Sequence, residues 1–281
     1  MVGMSDLLKK YLFQDNSTRI QAVRLTQAWQ TGMAHQHLPD CVRNLLGELM
    51  SAAVLLASNI KFNGSLVLQL QGDGPVSLIV VECNADLTIR ATATLREGAE
   101  IPDNGSLQSL LNTQGEGETV AQVLEHYMQH SEQLDTRLWL AADENSSSGL
   151  LLQKLPDHGG HADTSSEESW NRAVTLADTL KPEELRELGV DTIIKRLFWE
   201  ETLLTFEPQS IRWHCPCTRE RVGNMLRMLG RDEVESILTE REPVHVSCNF
   251  CGKPYQFDAV DCASLFTHNP DSAHAHPRSI H

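Results

Sequence analysis

Four of the seven cysteines lie close together near the C-terminal end of the chain, with the spacing of a metal site. The pattern is Cys215-Pro216-Cys217, thirty intervening residues, then Cys248-Asn249-Phe250-Cys251-Gly252. Zinc prefers four soft ligands at the corners of a tetrahedron, and two short-spaced cysteine pairs that folding brings together supply such a set. Glycine at position 252 suits a tight turn around a thiolate, because glycine tolerates positive φ. Cys215, Cys217, Cys248 and Cys251 are therefore the predicted ligands of one zinc ion.

Several other interpretations of these cysteines stay open at this point. Two structural disulfides would need an oxidising compartment, and the chain begins with no export signal. A thioredoxin-like redox pair at Cys248 and Cys251 would be expected at the start of a helix, whereas an alternating strand pattern follows them. His214 and His245 are neighbouring alternative ligands, and Cys262 is a fifth nearby thiol that we expect to be free. A zinc site that only stabilises the fold remains possible.

The residues around the cysteines predict a small unit that depends on its metal. Apolar residues at helical spacing predict helices over Thr218–Leu229 and Asp232–Leu238. Short strands carrying Val244, Val246, Tyr255 and Phe257 are predicted to follow them. A unit of about fifty residues buries too little surface to be comfortably stable alone. Structural zinc contributes about 10–16 kcal/mol in small peptides, so loss of the metal should unfold the unit. Seven cations balance seven anions between residues 211 and 258, which argues against nucleic-acid binding.

Upstream, the hydrophobic pattern predicts an antiparallel sheet with packed helices. The predicted strands are Arg19–Leu25, Ser65–Gln71, Val76–Cys83, Leu87–Thr94, Arg137–Ala141 and Gly149–Leu155, and the predicted helices are Pro39–Ala57, with Asp40 as N-cap, and Val120–Met128. The expected fold class is α+β. It consists of an N-terminal antiparallel sheet with helices, a helical linker and a small C-terminal zinc-binding domain.

The segment between the sheet and the cysteines is expected to be a linker. Residues 157–168 are poor in apolar side chains and predict a flexible loop. Residues 170–199 return to helical spacing, with Pro182 at one helix start and Asp191 capping another, and these helices would cover an open sheet face. The predicted domains are residues 1–156, 157–210 and 211–261, with a disordered tail at 262–281.

Charge and composition exclude several functions. The 281 residues carry 23 cationic and 38 acidic side chains, and the net charge of −15 disfavours a phosphate backbone as partner. No stretch reaches the ~18 apolar residues of a membrane span, so a cytoplasmic location is expected. No phosphate-binding glycine loop, nucleophile elbow or His-Glu zinc helix is present, and the chain is not expected to be an enzyme.

The cysteine pattern resembles that of the heat shock protein 33 family, the redox-regulated holdase chaperones of bacteria. Further segments resemble the family in order: Ser131-Glu132-Gln133-Leu134, Thr136-Arg137, Gly149-Leu150-Leu151-Leu152-Gln153, Arg196-Leu197-Phe198 and Arg219-Glu220-Arg221. The similarity extends from about Asp15 to Asp261, although the chain is shorter than the family between Leu95 and Val120.

This resemblance implies a function that the spacing alone does not give. It implies a reduced, inactive resting state in which Cys215, Cys217, Cys248 and Cys251 bind zinc. Oxidation would form the disulfides Cys215–Cys217 and Cys248–Cys251, release the zinc and produce a homodimeric chaperone that needs no ATP. Its partners would be unfolding client proteins, with the N-terminal domain binding clients and forming the dimer. The alternative from another class is a constitutive zinc-stabilised protein–protein interaction module.

Overall fold

A computed structural model of the chain describes residues 6–59, 64–112, 119–156, 164–241 and 243–267. The chain divides into two compact units, residues 1–214 and 215–281. The first unit contains β1 (Leu7–Phe13), β2 (Thr18–Leu25), α1 (Gln27–Met33), α2 (Asp40–Ala57), β3 (Ser65–Gln71), β4 (Val76–Asn84), β5 (Thr88–Leu95), α3 (Leu107–Leu111), α4 (Val120–Ser131), β6 (Thr136–Ala142), β7 (Ser147–Lys154), α5 (Thr164–Ala177), α6 (Pro182–Glu187), α7 (Val190–Leu197), β8 (Leu203–Thr205), β9 (Gln209–Ser210) and β10 (Arg212–Trp213). The second contains α8 (Arg219–Leu229), α9 (Arg231–Glu240), β11 (Val244–Ser247), β12 (Pro254–Phe257) and α10 (Ala259–Thr267).

The strands of the first unit form two sheets. The first sheet has the order β6-β7-β2-β1-β8, with β9 also pairing with β1, and the second has the order β10-β5-β4-β3. All pairs are antiparallel except β10 with β5. The α+β class and the predicted β3–β5 meander are confirmed, whereas the elements β1, β8, β9, β10, α1 and α3 were not predicted. Because β1 reads Leu-Leu-Lys-Lys-Tyr-Leu-Phe, its polar and apolar residues do not alternate cleanly.

Helix α2 forms the centre of the first unit, and its C-terminal half is buried on every side. Each of its residues from Leu49 to Ala57 is buried, which is typical of a helix enclosed by other elements. Its side chains share one hydrophobic core with Val23 and Leu151 of the first sheet and with Ile79 and Ile89 of the second. The helix therefore fills the space between the two sheets.

The opposite face of the first sheet carries a second, separate core. The strand residues are Tyr11, Phe13, Ile20, Ala22, Leu150 and Leu152, and the helix residues of α5–α7 are Trp170, Ala173, Ala177, Leu185, Ile193, Ile194 and Leu197. Beyond α7, Phe198 packs edge-on against Phe13, with ring centroids 5.9 Å apart. The helices upstream of the cysteines thus cover a sheet face, as the sequence pattern predicted.

Two predicted helix caps are wrong. Pro39, not Asp40, occupies the N-cap of α2, and Asp40 is the first helical residue, where its carboxylate pairs with Arg43 at 3.0 Å. Gly189, not Asp191, occupies the N-cap of α7. The carboxylate of Asp191 instead pairs with Lys9 of β1 at 2.6 Å. In both cases an acidic residue in the first turn favourably opposes the helix dipole without capping the backbone.

Two segments predicted to be unstructured are partly helical. The loop predicted at 157–168 is wrong for residues 164–168, which form the start of α5. The tail predicted at 262–281 is wrong for residues 262–267, which belong to α10, where Cys262 is buried. Residues 157–163 and 268–281 lie outside the described residues. None of the helices described is long and apolar enough to cross a membrane.

A carboxylic acid lies where α6 packs near α2. Glu48 of α2 and Arg186 of α6 line one cavity of about 330 Å³ together with apolar residues of β6. Burial raises the pKa of Glu48 to about 7, although the nearby Arg186 guanidinium opposes the rise. Because the folded-state pKa is raised, the neutral acid favours folding at low pH. That contribution is lost as the pH rises from the ordinary glutamate value through about 7.

We predict that Glu48→Gln increases the free energy of unfolding of the reduced protein at pH 8. The expected gain over the wild type is about 1–2 kcal/mol, shrinking towards zero by about pH 5, because the glutamine resembles the neutral acid. Urea denaturation at both pH values measures it. Glu187→Gln, the same change at an exposed position of α6, is the matched control. Equal pH profiles for the two variants would contradict the prediction.

Candidate metal centre

Local structure of the second unit places the two cysteine pairs at the ends of regular elements. The first pair directly precedes α8, whose N-cap Thr218 accepts a hydrogen bond from the Arg221 amide. The second pair lies in the turn that joins β11 to β12. In that turn the Cys248 amide donates to the Lys253 carbonyl and the Gly252 amide donates to the Cys248 carbonyl, both at 2.9 Å. Gly252 has a φ of +71°, as expected of a glycine that closes a tight turn.

The four cysteine sulfurs converge on a common centre. The Sγ atoms of Cys215 and Cys248 lie 3.9 Å apart, and those of Cys217 and Cys251 lie 3.4 Å apart. All four sulfurs lie within 4.8 Å of one another, and all four cysteines are free. A tetrahedral zinc site with Zn–S bonds of about 2.3 Å places its sulfurs about 3.8 Å apart. The donor set and its spacing therefore fit a four-coordinate metal ion.

Side chains of the same unit hold the backbone of the first pair. The Tyr255 hydroxyl donates to the Cys217 carbonyl and the Arg221 guanidinium donates to the Pro216 carbonyl, both at 3.0 Å. Arg219 lies over the ring of Phe257, 4.2 Å from its centroid, and donates to the Asp261 carboxylate at 2.6 Å. Through these contacts β12 and the start of α10 fix the segment that carries Cys215 and Cys217.

The hydrophobic core of the second unit is small. Its buried members are Val222, Leu226, Val234, Val244, Tyr255, Phe257 and Cys262, with Cys217 and Cys248 packed against them. The cysteine cluster is thus continuous with the core, so a change at the sulfurs directly alters the packing of the unit.

Without a cation, burial opposes the ionisation of these thiols. It raises the pKa of Cys215 and of Cys251 above the ordinary cysteine value. Burial also acts to raise the pKa of Cys217, but the hydroxyl of Tyr255 and the neighbouring thiols outweigh it and lower that pKa. The same contact with Cys217 raises the pKa of Tyr255, which keeps its hydroxyl a donor. Four thiolates at this spacing need a positive charge at their centre.

The other candidate residues lie apart from the cluster. Among the residues the structure describes, neither His214 nor His245 joins the group of convergent ligand atoms, and both side chains are exposed. Cys262 is buried and free, as expected. Cys83 lies in the first unit, and burial raises its pKa to about 12. Cys41 is free and half-buried, 3.3 Å from the Pro102 carbonyl oxygen.

Sequence reasoning missed the residues that support the first cysteine pair. Tyr255 was predicted only as an apolar position of a strand, and Arg221 only as part of a family-like segment. A hydrogen bond to a backbone carbonyl leaves no signature in spacing or composition. The start of α8 beside Thr218, by contrast, was predicted from its helical pattern and confirmed.

Comparison with known proteins gives consistent matches over nearly the whole chain. A family model described as Hsp33 protein matches residues 6–258. The chain is 45% identical over 282 residues to the 33 kDa chaperonin of Methylobacillus flagellatus, covering 94% of this chain and 95% of that protein. It is 41% identical over 285 residues to the 33 kDa chaperonin of Chromobacterium violaceum, covering 94% and 95%.

A solved structure has the same fold. The crystal structure of the 33 kDa chaperonin (heat shock protein 33 homolog) of Thermotoga maritima superposes with a TM-score of 0.71 at 19% sequence identity, covering 94% of this chain and 98% of that chain. Fold and sulfur cluster together define a protein with a mixed α+β unit followed by a small unit in which four cysteines can bind a metal ion. The chain belongs to the Hsp33 family, whose members are chaperones rather than enzymes.

We predict that Tyr255→Phe weakens metal retention by about tenfold, because supporting hydrogen bonds near metal ligands typically contribute that much to affinity. The variant removes the donor to the Cys217 carbonyl and keeps the ring in the core. Competition for added zinc between the reduced protein and a chromogenic chelator measures the effect. Tyr127→Phe on the exposed side of α4 is the control, and equal zinc affinity in both variants would show that the hydrogen bond is irrelevant.

Proposed function

We propose that this protein is a redox-regulated, ATP-independent holdase chaperone whose resting state binds one zinc ion through Cys215, Cys217, Cys248 and Cys251. The observation that carries the proposal is the convergence of four free sulfurs within 4.8 Å in the smaller unit. When bound, zinc would supply the positive charge that keeps all four thiolates ionised and together. Reduced thiols of this kind fit a cytoplasmic location.

Oxidation would remove the ligands in pairs. Each pair of thiolates gives up two electrons to hydrogen peroxide, so that one S–S bond forms and the O–O bond breaks, and the peroxide takes two protons from the solvent and leaves as two water molecules. We propose the pairs Cys215–Cys217 and Cys248–Cys251, as in the family resemblance. A sulfur bonded to another sulfur no longer binds a metal ion, so one disulfide leaves two of four ligands.

Loss of the metal site would then unfold the second unit. Its core has few buried side chains, and two cysteines of the cluster pack against that core. Structural zinc contributes about 10–16 kcal/mol in small peptides, which is comparable to the whole net stability of a typical domain, about 5–15 kcal/mol. The remaining hydrophobic contacts would not compensate for that loss.

We propose that unfolding continues into the segment just before Cys215. Strands β8 and β9 pair with β1 of the first sheet, and β10 pairs with β5 at the edge of the second sheet. His214 follows β10 and directly precedes Cys215, and its amide donates to the Ile89 carbonyl. The helices α5–α7 precede these strands. Their release would expose both halves of the second core, including Trp170, Ile193 and Leu197. Such apolar faces bind aggregation-prone clients.

The domain roles follow from this order of events. Residues 211–261 act as the redox switch, residues 157–210 as the linker that responds to it, and residues 1–156 as the part that binds clients and forms the oxidised homodimer. The apolar β-strand face beneath α5–α7 supports a client-binding role for the N-terminal domain, because release of the helices uncovers Phe13, Ile20 and Leu152.

We predict that peroxide under mildly unfolding conditions forms disulfides within each cysteine pair, releases one zinc per chain and switches on suppression of client aggregation. Mass-spectrometric disulfide mapping, a metallochromic dye and light scattering of a heat-denatured client measure the three events. Cys41→Ser, which changes a cysteine outside the cluster, is the control and should behave as the wild type. A protein that keeps its zinc and never gains holdase activity would instead be a constitutive interaction module.

We further predict that oxidation lowers hydrogen-exchange protection first in residues 215–267 and then in α5–α7. Protection in α2 should persist, because its core is separate from that of the released helices. Hydrogen–deuterium exchange of the reduced and oxidised full-length protein tests this order. Undiminished protection of α5–α7 in a protein that is active as a holdase would contradict the proposed release.

A further inference from the structure

A cleft in the first unit brings together two cations, neither of which forms an ion pair with an acidic side chain among the described residues. It has a volume of about 340 Å³ and lies beside strands β1 and β2 at the C-terminal end of α2. Lys10 of β1 and Arg19 of β2 both line it. In the register of these strands Lys10 lies opposite Gln21 and Leu12 lies opposite Arg19, so all four side chains share one sheet face.

Neutral oxygens hold the two cations in place. The Lys10 ammonium donates to the carbonyl of Ser58, the C-cap of α2, at 2.7 Å. The Arg19 guanidinium donates to the side-chain oxygens of Asn59 at 3.1 Å and Gln153 at 3.3 Å. These contacts use one of the two terminal nitrogens of Arg19 and leave further N–H donors of both cations available.

The polar floor of the cleft is itself fixed. Gln21 is fully buried and exchanges two hydrogen bonds with Asn59, one at 2.6 Å and one at 3.2 Å. Asn59 is therefore oriented by Gln21, and it in turn orients the Arg19 guanidinium. This arrangement pre-positions the donors before any ligand binds.

The charge of the cleft differs from that of the chain. The protein carries a net charge of −15, and many of its arginines pair with carboxylates. Within the described residues, neither Lys10 nor Arg19 forms an ion pair with an acidic side chain. Burial lowers the pKa of both groups, and the positive charge of Arg19 lowers the pKa of Lys10 further, because it disfavours the charged form of the lysine.

The remaining wall of the cleft is apolar. Leu12, Leu155 and Phe206 line it, and the Phe206 ring is 53% exposed. The Phe206 amide donates to the Lys10 carbonyl at 3.1 Å, which anchors this aromatic residue beside the cations. The volume of the cleft falls at the lower end of the range for small-molecule pockets, about 300–1,000 Å³.

We propose that this cleft binds a small oxyanion, a carboxylate or a phosphate, that carries an apolar group. The anion would accept hydrogen bonds from Lys10 and Arg19, and its apolar group would lie against Leu155 and Phe206. Charge-assisted hydrogen bonds from a lysine and an arginine are the usual means of holding such anions. The proposal concerns the reduced protein, and its argument does not use the cysteine cluster.

The test is titration of the reduced, zinc-loaded full-length protein at constant ionic strength, followed by isothermal calorimetry. The probes are phenyl phosphate, benzoate, inorganic phosphate and benzyl alcohol. We expect saturable binding of at least one aromatic anion at concentrations up to about 10 mM, and weaker binding of inorganic phosphate and of the neutral alcohol. If phenyl phosphate binds more tightly than benzoate, the cleft prefers a phosphate, and if benzoate binds more tightly, it prefers a carboxylate.

Three variants locate the binding. Lys10→Met and Arg19→Gln should each weaken it by about tenfold or more, whereas Lys195→Met should change it less than about twofold. Lys195 is exposed on α7 and gives the same change in net charge as Lys10→Met. Phe206→Ala should abolish the preference for aromatic anions. If Arg19→Gln fails to fold, Lys10→Met and Phe206→Ala are sufficient to locate the binding.

Two outcomes would overturn the proposal. The first is no saturable binding of either aromatic anion. The second is binding that Lys10→Met and Phe206→Ala weaken no more than Lys195→Met, which would mean general attraction of an adventitious ion only.

Discussion

The approach of four cysteine sulfurs to one another is the interaction that holds the second unit together. Burial opposes their ionisation, because it raises the pKa of Cys215 and Cys251. A bound dication would reverse this preference and join the two cysteine pairs into one cluster. A metal-free site of neutral thiols and a metal-bound site of thiolates would therefore differ in charge as well as in bonding. A unit with a core as small as that around Leu226 and Phe257 has little else to hold it closed.

The first unit, in contrast, has a core that does not involve the cysteine cluster. Helix α2 is enclosed by strands of two sheets, whereas α5–α7 pack on the other face of the first sheet. The two cores share strands but not helices. Departure of α5–α7 would leave the environment of α2 largely intact. This separation lets one part of a stable unit change state while the remainder stays folded.

Prediction from the sequence succeeded where the pattern was strong and local. The convergence of the four cysteines follows from their spacing, and α2 and the β3–β5 meander follow from hydrophobic periodicity. The predicted caps at Asp40 and Asp191 were wrong. The Asp40 carboxylate pairs with Arg43 of its own helix, and the Asp191 carboxylate pairs with Lys9 of β1. The helical state of residues 262–267 was missed because the core contact of Cys262 is tertiary.

Other features have no local signature at all. The hydrogen bond from Tyr255 to the Cys217 carbonyl joins residues 38 positions apart. Lys10 and Arg19 are ordinary surface cations in the sequence, and only strand pairing places them in one cleft. Features of this kind depend on the register of the sheets and turns, which hydrophobic patterns specify only loosely.

The proposed metal centre is tested most directly by the folding of residues 215–267 in the reduced full-length protein before and after treatment with a chelator. We predict one zinc per chain by elemental analysis. Chelation should collapse the dispersed amide resonances of this segment and leave those of α2 unchanged, and added zinc should restore them. Reduced protein without stoichiometric zinc, or a segment that keeps its dispersed resonances after chelation, would contradict the proposal that a bound zinc ion keeps the second unit folded.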